Sequence, residues 1–301
     1  MEFFKQTIAR FGDLGGTPDI LKGVTGVNVD GGVEQYEYRG DEDLHNLANI
    51  SADPAASFSS SDLKGILDLT SLNMVELDST HKLELNWRKM IHGGTFAPGG
   101  TDVQAVFIGG AMYPTSLSCS HGQPCSIAVN VIGASDDGSN PPVTIDADKT
   151  ATTEIIQDRA YTLAGMKFGT TGSKTISLES VNIEFGLDVQ AKGSNGTYYK
   201  TYVVQMGRNT IIKLSTFDLS QVALYDLNGI DDKTNDLIIY FARLKEGGSR
   251  YADNSGEHIS ITVKAHNMMT KSIGDMAEIE IRPFSKITDP LFTFDIGVNI
   301  T

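Results

Sequence analysis

The residues best suited to chemistry lie in one heptapeptide, Cys119-Ser120-His121-Gly122-Gln123-Pro124-Cys125, which holds both cysteines and one of the six histidines. Zinc takes four ligands at tetrahedral reach, and this stretch offers three within one tight turn. A hairpin turn between two strands accounts for the same residues, and two cysteines make no disulfide framework. Asp226-Leu227-Asn228-Gly229-Ile230-Asp231-Asp232 has the carboxylates of a calcium loop. Its glycine comes too early, however, and Leu237 stands where the closing bidentate glutamate belongs. A helix C-cap followed by a solvated turn fits better. Arg39-Gly40-Asp41 spells an adhesion tripeptide, and Asn49, Asn195 and Asn299 each begin a glycan-acceptor triplet. Three residues on an acidic loop carry little, and acceptor triplets mean little without secretion.

No phosphate-cradling glycine loop, zinc-protease helix or nucleophile elbow occurs. His45, His81, His92, His121, His258 and His266 are scattered along the chain. Trp87 sits in an apolar, strand-like stretch and reads as packing. These residues predict no enzyme, no metal and no cofactor. The net charge of −14 disfavours binding to nucleic acid backbones, which recruit basic surfaces. No apolar run is long enough to span a bilayer as a helix. The opening Met1-Glu2-Phe3-Phe4-Lys5-Gln6 has none of the successive regions of a secretory signal, so none is expected.

What organises the chain is repetition. Val27-Asn28-Val29-Asp30-Gly31-Gly32-Val33-Glu34 returns, 154 residues later, as Val181-Asn182-Ile183-Glu184-Phe185-Gly186-Leu187-Asp188. Ser61-Asp62-Leu63 answers to Phe217-Asp218-Leu219, and Leu83-Glu84-Leu85-Asn86-Trp87 to Leu237-Ile238-Ile239-Tyr240-Phe241. Residues 103–117 answer to 259–273, with Met112 facing Met268. Collinear blocks of this kind predict one domain written twice: an N-terminal arm over 1–16, copy one over 17–148, a connection over 149–171 and copy two over 172–301. Copy one carries 18 acidic and 6 basic residues, copy two 16 and 13, so the copies differ in electrostatic character.

Each copy reads as short strands with a single helix. Residues 27–38 alternate apolar and polar as a half-buried strand pair would. Residues 39–50 read as a polar loop, and 55–59 as a short strand. Ser60-Ser61-Asp62 supplies an N-cap for a helix over Leu63, Ile66 and Leu67, with a counterpart over 216–227. Further strands are expected over 81–91, 103–108 and 126–131. The predicted fold is mainly β: two tandem homologous β-sandwich or partly closed barrel domains, each flanked by one α-helix.

The pattern Gly23-Val24-Thr25-Gly26-Val27-Asn28-Val29-Asp30-Gly31-Gly32-Val33, an acidic loop, then Ala56-Ser57-Phe58-Ser59-Ser60-Ser61-Asp62-Leu63 resembles tailed-bacteriophage tail tube (major tail) proteins. That family joins a β-sandwich to one helix, and its hexameric rings stack into a hollow tube through which the genome passes. The resemblance implies that a two-domain chain fills one third of a ring, so three chains close a pseudo-hexamer. It implies a structural protein of the virion tail, made in the host cytoplasm, with other copies of itself, a tape-measure protein and other tail proteins as partners. Double-stranded DNA would pass without specific binding, and no membrane is involved. A tail hub or terminal ring of the same fold, and a tandem β-sandwich adhesin or binding module, are the alternatives.

On this resemblance Asp30, Glu34, Glu184 and Asp188 are the candidates to face the lumen, where acids would repel DNA phosphate. An outward solvated face accounts for them equally well. The family's stacking loop falls on Arg39, Asp41, Glu42 and Asp43 in copy one, and on Lys192, Asn195 and Lys200 in copy two. Opposite charges at alternate positions would set the register between stacked rings. Reversing Asp41, Glu42 and Asp43 to lysine is therefore expected to shorten or abolish tubes, as measured by tube length in electron micrographs. Tubes of unchanged length would refute the charge-register reading.

Overall fold

The computed structural model describes residues 3–12, 19–39, 44–91, 95–151, 160–168, 175–194, 196–219, 231–233, 236–245, 247–264, 266–284 and 291–300. The first series of elements is β1 (Phe3–Gly12), β2 (Asp19–Leu21), β3 (Val24–Asp30), β4 (Val33–Arg39), β5 (Leu44–Ala52), β6 (Ala55–Ser60), α1 (Leu63–Thr70), β7 (Val75–Leu77), β8 (Lys82–Met90), β9 (Asp102–Phe107), β10 (Gly110–Ser120), β11 (Ser126–Gly133) and β12 (Val143–Lys149). The second is β13 (Tyr161–Phe168), β14 (Thr175–Ile176), β15 (Ser180–Glu184), β16 (Leu187–Lys192), β17 (Tyr202–Arg208), β18 (Ile211–Thr216), β19 (Asp231–Lys233), β20 (Leu237–Arg243), β21 (His258–Val263), β22 (His266–Ile273), β23 (Ala277–Pro283) and β24 (Phe292–Val298). The chain is mainly β, and every named ladder is antiparallel.

The sheets recur in the same order. One five-stranded sheet runs β2-β1-β8-β9-β12, the other β14-β13-β20-β21-β24. A ten-stranded sheet contains β3-β6-β11-β10, with β7 on β10, and then β15-β18-β23-β22-β19; the two series join where β15 pairs with β10. Two hairpin arms, β4-β5 and β16-β17, stand as separate two-stranded sheets. Even the irregularities match. β10 is bulged against β11 between Pro114 and Ser116, and β22 against β23 between Thr270 and Ser272. Each arm begins at a left-handed glycine, Gly32 (φ 56°) or Gly186 (φ 60°). A Cβ at either would collide with the carbonyl oxygen of Asp53 or Asn209, which closes the arm root.

Binary patterning explains the layers. β6 (Ala-Ala-Ser-Phe-Ser-Ser) and β11 (Ser-Ile-Ala-Val-Asn-Val-Ile-Gly) alternate strictly, burying Ala56, Phe58, Ile127, Val129 and Val131 and turning Ser57, Ser59, Ser126 and Asn130 to the other face; Ser60 is buried, its hydroxyl donating to Lys22 O at 2.6 Å. β21 is buried along its whole length, as a strand covered on both faces should be. The inward side chains of both series form one contiguous core, from Phe11, Leu85 and Phe107 to Phe241, Ile261 and Ile281.

Several sequence expectations need correction. Residues 44–50, read as loop, are strand β5; residues 48–50 are exposed one after another, so the alternation that signals a half-buried strand is missing there. β3 and β4, read as a pair, do not pair with each other: β3 pairs with β6 and β4 with β5. Residues 3–12, assigned to an arm, form β1 between β2 and β8. Within the stretch assigned to the connection, 161–168 form β13 beside β20. Of the second expected helix, over 216–227, Thr216 is the last residue of β18, only Leu219 is helical among the described residues, and 220–227 lie outside them.

The helix α1 follows the sequence closely. Leu63, Ile66 and Leu67 face the core, and Asp62 caps the start, its Oδ1 accepting from the Gly65 N–H at 2.9 Å. Asp62 is itself buried, and its Oδ2 accepts from the Lys22 N–H at 3.4 Å, which ties the helix to the β2–β3 connection. Replacing Asp62 by alanine is expected to lower stability by about 2 kcal/mol, the upper end for a lost cap. Denaturant melts should show this loss, with Asp62→Asn recovering most of it.

Candidate assembly interface

The chain holds an edge-to-edge joint of its own. β10 pairs with β15 over five residues: Ser116 with Glu184, Leu117 with Ile183, Ser118 with Asn182, Cys119 with Val181, and Ser120 with Ser180. Backbone bonds continue past both ends of the ladder, Phe185 N–H to Thr115 O at 2.9 Å and His121 N–H to Glu179 O at 2.8 Å. The cysteine heptapeptide is the hairpin between β10 and β11, and Cys119 and Cys125 are joined as a disulfide. The Cys125 N–H donates to Tyr161 O at 2.7 Å, so this hairpin anchors the first strand of the second series as well. The disulfide occupies both thiols, and among the described residues no three His, Cys, Asp or Glu side chains gather as a metal site.

A second contact lies over the joint. The loop after β16 docks on the first series: Ala52 N–H donates to Tyr198 O (3.0 Å), Tyr199 N–H to Gly138 O (3.0 Å) and Ser135 N–H to Lys200 O (2.8 Å). The receiving loop is tied by Asp137, whose Oδ1 accepts from the N–H groups of Asn140 and Ser139, each at 2.8 Å, and from the Ser135 hydroxyl at 3.0 Å. Those donors hold its carboxyl well below the usual range, at about 2. At the arm root, Leu187 packs against the core and Val189 is buried.

Arg208, the last residue of β17, closes the third side. Its guanidinium donates to Leu72 O (2.9 Å) and Asn73 Oδ1 (3.1 Å), just beyond α1, and its Nε to Thr210 Oγ1 at 3.3 Å. It lies 4.8 Å from the centroid of the Phe292 ring. Burial pushes its pKa down to about 10, which still leaves it cationic at neutral pH. The carbonyl it reaches belongs to a residue of positive φ (Leu72, φ 60°), where the helix exit has no intrahelical partner to offer.

The outer face of the ten-stranded sheet changes character across the joint. In the first series it presents Asn28, Ser57, Ser59, Ser116, Ser118 and Asn130. In the second it carries charge, largely paired: Lys213 with Glu184 at 2.7 Å, and Glu280 with Arg282 at 2.7 Å and Lys271 at 3.3 Å. Burial raises the Glu280 pKa, but the two cations outweigh it and hold the carboxyl below its ordinary value.

Of the lumen candidates, Asp30 and Glu184 stand on this outer face, each at the end of the strand before an arm. Glu34 and Asp188 lie in the arms, Glu34 accepting from the Ser51 hydroxyl at 3.1 Å and Asp188 from the Gln190 amide at 2.9 Å. Of the stacking candidates, Asp41, Glu42, Asp43 and Asn195 lie outside the described residues, and Arg39 is described only as the last residue of β4. Lys192 ends β16 and donates to Gln190 Oε1, whereas Lys200 faces the first series, 3.9 Å from Asp53. The sequence reading passed over Arg208, Tyr198 and Tyr199. Arg208 did carry a signal, as the single basic residue in residues 201–212. Neither a scan against protein-family models nor a search of curated proteins finds a match to this chain.

Truncating Arg208 to alanine strips three hydrogen bonds made by a charged, half-buried group and uncovers Phe292. A loss of about 2 kcal/mol is expected in denaturant melts. Arg208→Lys should recover less than half, because an ammonium cannot reproduce the guanidinium fork.

Proposed function

We propose that the chain is a structural, self-assembling protein: two copies of one β-sandwich unit that polymerise as three-chain, pseudo-sixfold rings stacked into the tail tube of a phage. The observation that carries this reading is the internal joint. It buries the edge of β15 against β10, and it leaves the same two places vacant at the ends of the series, where β3 ends the sheet and the end of β22 pairs only with β23 among the described residues. An edge and a receiving edge of one chain, different from each other, form a heterologous contact, and such contacts close into rings when the rotation permits. Exposed sheet edges otherwise invite uncontrolled pairing, so a protein that keeps two of them has use for them.

On this reading the outer face of the ten-stranded sheet lines the lumen. Its first half is mostly uncharged, with serine and asparagine prominent and Asp30 as an exposed acid, and its second half has its acids largely matched by lysine and arginine. Such a wall gives DNA phosphate neither a cationic trap nor a specific groove, which suits passage rather than binding. Asp30 and Glu184 belong to it, and Glu34 and Asp188 to the arms. The chain then acts as virion architecture rather than as a catalyst, with a tape-measure protein and other tail proteins as partners.

Electron microscopy of the purified chain, with rotational averaging, is expected to show stacked rings of three chains with pseudo-sixfold density. Isolated rings that never stack would favour a terminal ring or hub. A monomer at every concentration would favour the tandem binding module.

A further inference from the structure

The two series of strands allow the contact between chains to be specified residue by residue, given the self-assembly reading above. The bulges of β10 and β22 fix their correspondence: Ser116 and Leu117 follow the bulge in one, Ser272 and Ile273 in the other. The arm-root glycines fix that of β3 and β15, so Asp30 stands where Glu184 stands, and Val29 where Ile183 stands. In the internal joint Glu184 faces Ser116 and Ile183 faces Leu117.

We propose that one copy of this chain docks on another by antiparallel pairing of β3 with the end of β22, Asp30 opposite Ser272 and Val29 opposite Ile273. Three observations support a second copy as the occupant. Asp30, Ser272 and Ile273 are all exposed. Val33, at the root of the first arm, is 48% exposed, whereas its counterpart Leu187 packs against the core once the second arm is seated. Lys271, which pairs with Glu280 at 3.3 Å within its own chain, occupies the place of Thr115, the residue whose carbonyl meets the chain just after Glu184, so it brings a cation to the Asp30 end of the contact. The joint between copies is also the shorter one. β10 runs on to Ser120 and its disulfide-closed hairpin, whereas β22 ends at Ile273 and turns through Gly274-Asp275-Met276. Two ladder pairs replace five.

Directly opposed residues of an antiparallel ladder have Cβ atoms about 5 Å apart, within reach of a disulfide. The chain carrying Asp30→Cys and Ser272→Cys is expected, on mild oxidation, to give covalent species at two and three chain masses and none larger on a non-reducing gel. A mixture of the D30C chain with the S272C chain should stop at two chain masses, and T25C/S272C, out of register, should cross-link at least tenfold less. Circular dichroism checks that each variant folds, since all three positions are exposed. If the wild-type chain assembles in sedimentation velocity but D30C/S272C fails to cross-link, the register is overturned and self-assembly stands. If the wild-type chain is monomeric at every concentration and nothing cross-links, both readings fall.

Discussion

The backbone ladder between β10 and β15 is the constraint on which the rest depends. A strand edge is a row of unsatisfied N–H and C=O groups, and leaving it buried without partners is costly. By placing the edge of the second series against the first, the chain converts two sheets into one ten-stranded sheet and merges two cores into one. The disulfide hairpin, the docked arm and Arg208 all lie around this ladder. Each reaches from one series into the other, so the ladder is buttressed at its end, above its face and beside it.

Much of this was legible in the sequence, for identifiable reasons. The repeated Val-Asn-Val-Asp-Gly-Gly-Val-Glu block marks strand, left-handed turn and arm root in both series because a Gly is required where the arm folds back on Asp53 or Asn209. Asp62 announced a helix because an N-cap must accept from the first turn. The heptapeptide was legible as a hairpin, though its disulfide follows from a geometry that only the paired strands create. The arms were harder: residues 48–50 of β5 are exposed one after another, so this stretch looks like a polar loop. β1 and β13 were missed for another reason. Each is bulged against its neighbour, between Gln6 and Ala9 or between Leu163 and Gly165, which breaks the period-two pattern and the alignment between the two series. The sequence offered only the isolation of Arg208 among uncharged residues; its clamp was illegible because two of its partners are 135 and 136 residues away.

The candidate site was legible only as far as local spacing reaches. Asp30 and Glu184 could be placed on one strand face by alternation, and they share the outer face of the ten-stranded sheet. Glu34 and Asp188 follow the glycine turns, and those turns carry them off the sheet into the arms. The charge imbalance between the series also has a local meaning that the totals hide. On the outer face the second series matches its acids with Lys213, Lys271 and Arg282, whereas the first has few charges there at all. The excess acid of residues 17–148 therefore lies elsewhere, with the Asp137 turn as one of its places.

Under the proposed self-assembly, the joint inside the chain and the joint between chains face different demands. A joint inside a chain forms once, at high effective concentration, and gains from every added contact. A joint between chains must find its register by diffusion and must remain reversible long enough to correct errors before a ring closes. The differences between the two series run in that direction. The longer β10 hairpin, the disulfide and the guanidinium clamp gather at the internal joint, while the terminal edges keep Asp30, Ser272 and Ile273 exposed. Under the proposed self-assembly, rigidity and assembly fall to different joints: the internal one is free to become permanent because the one between chains stays weak enough to be selective.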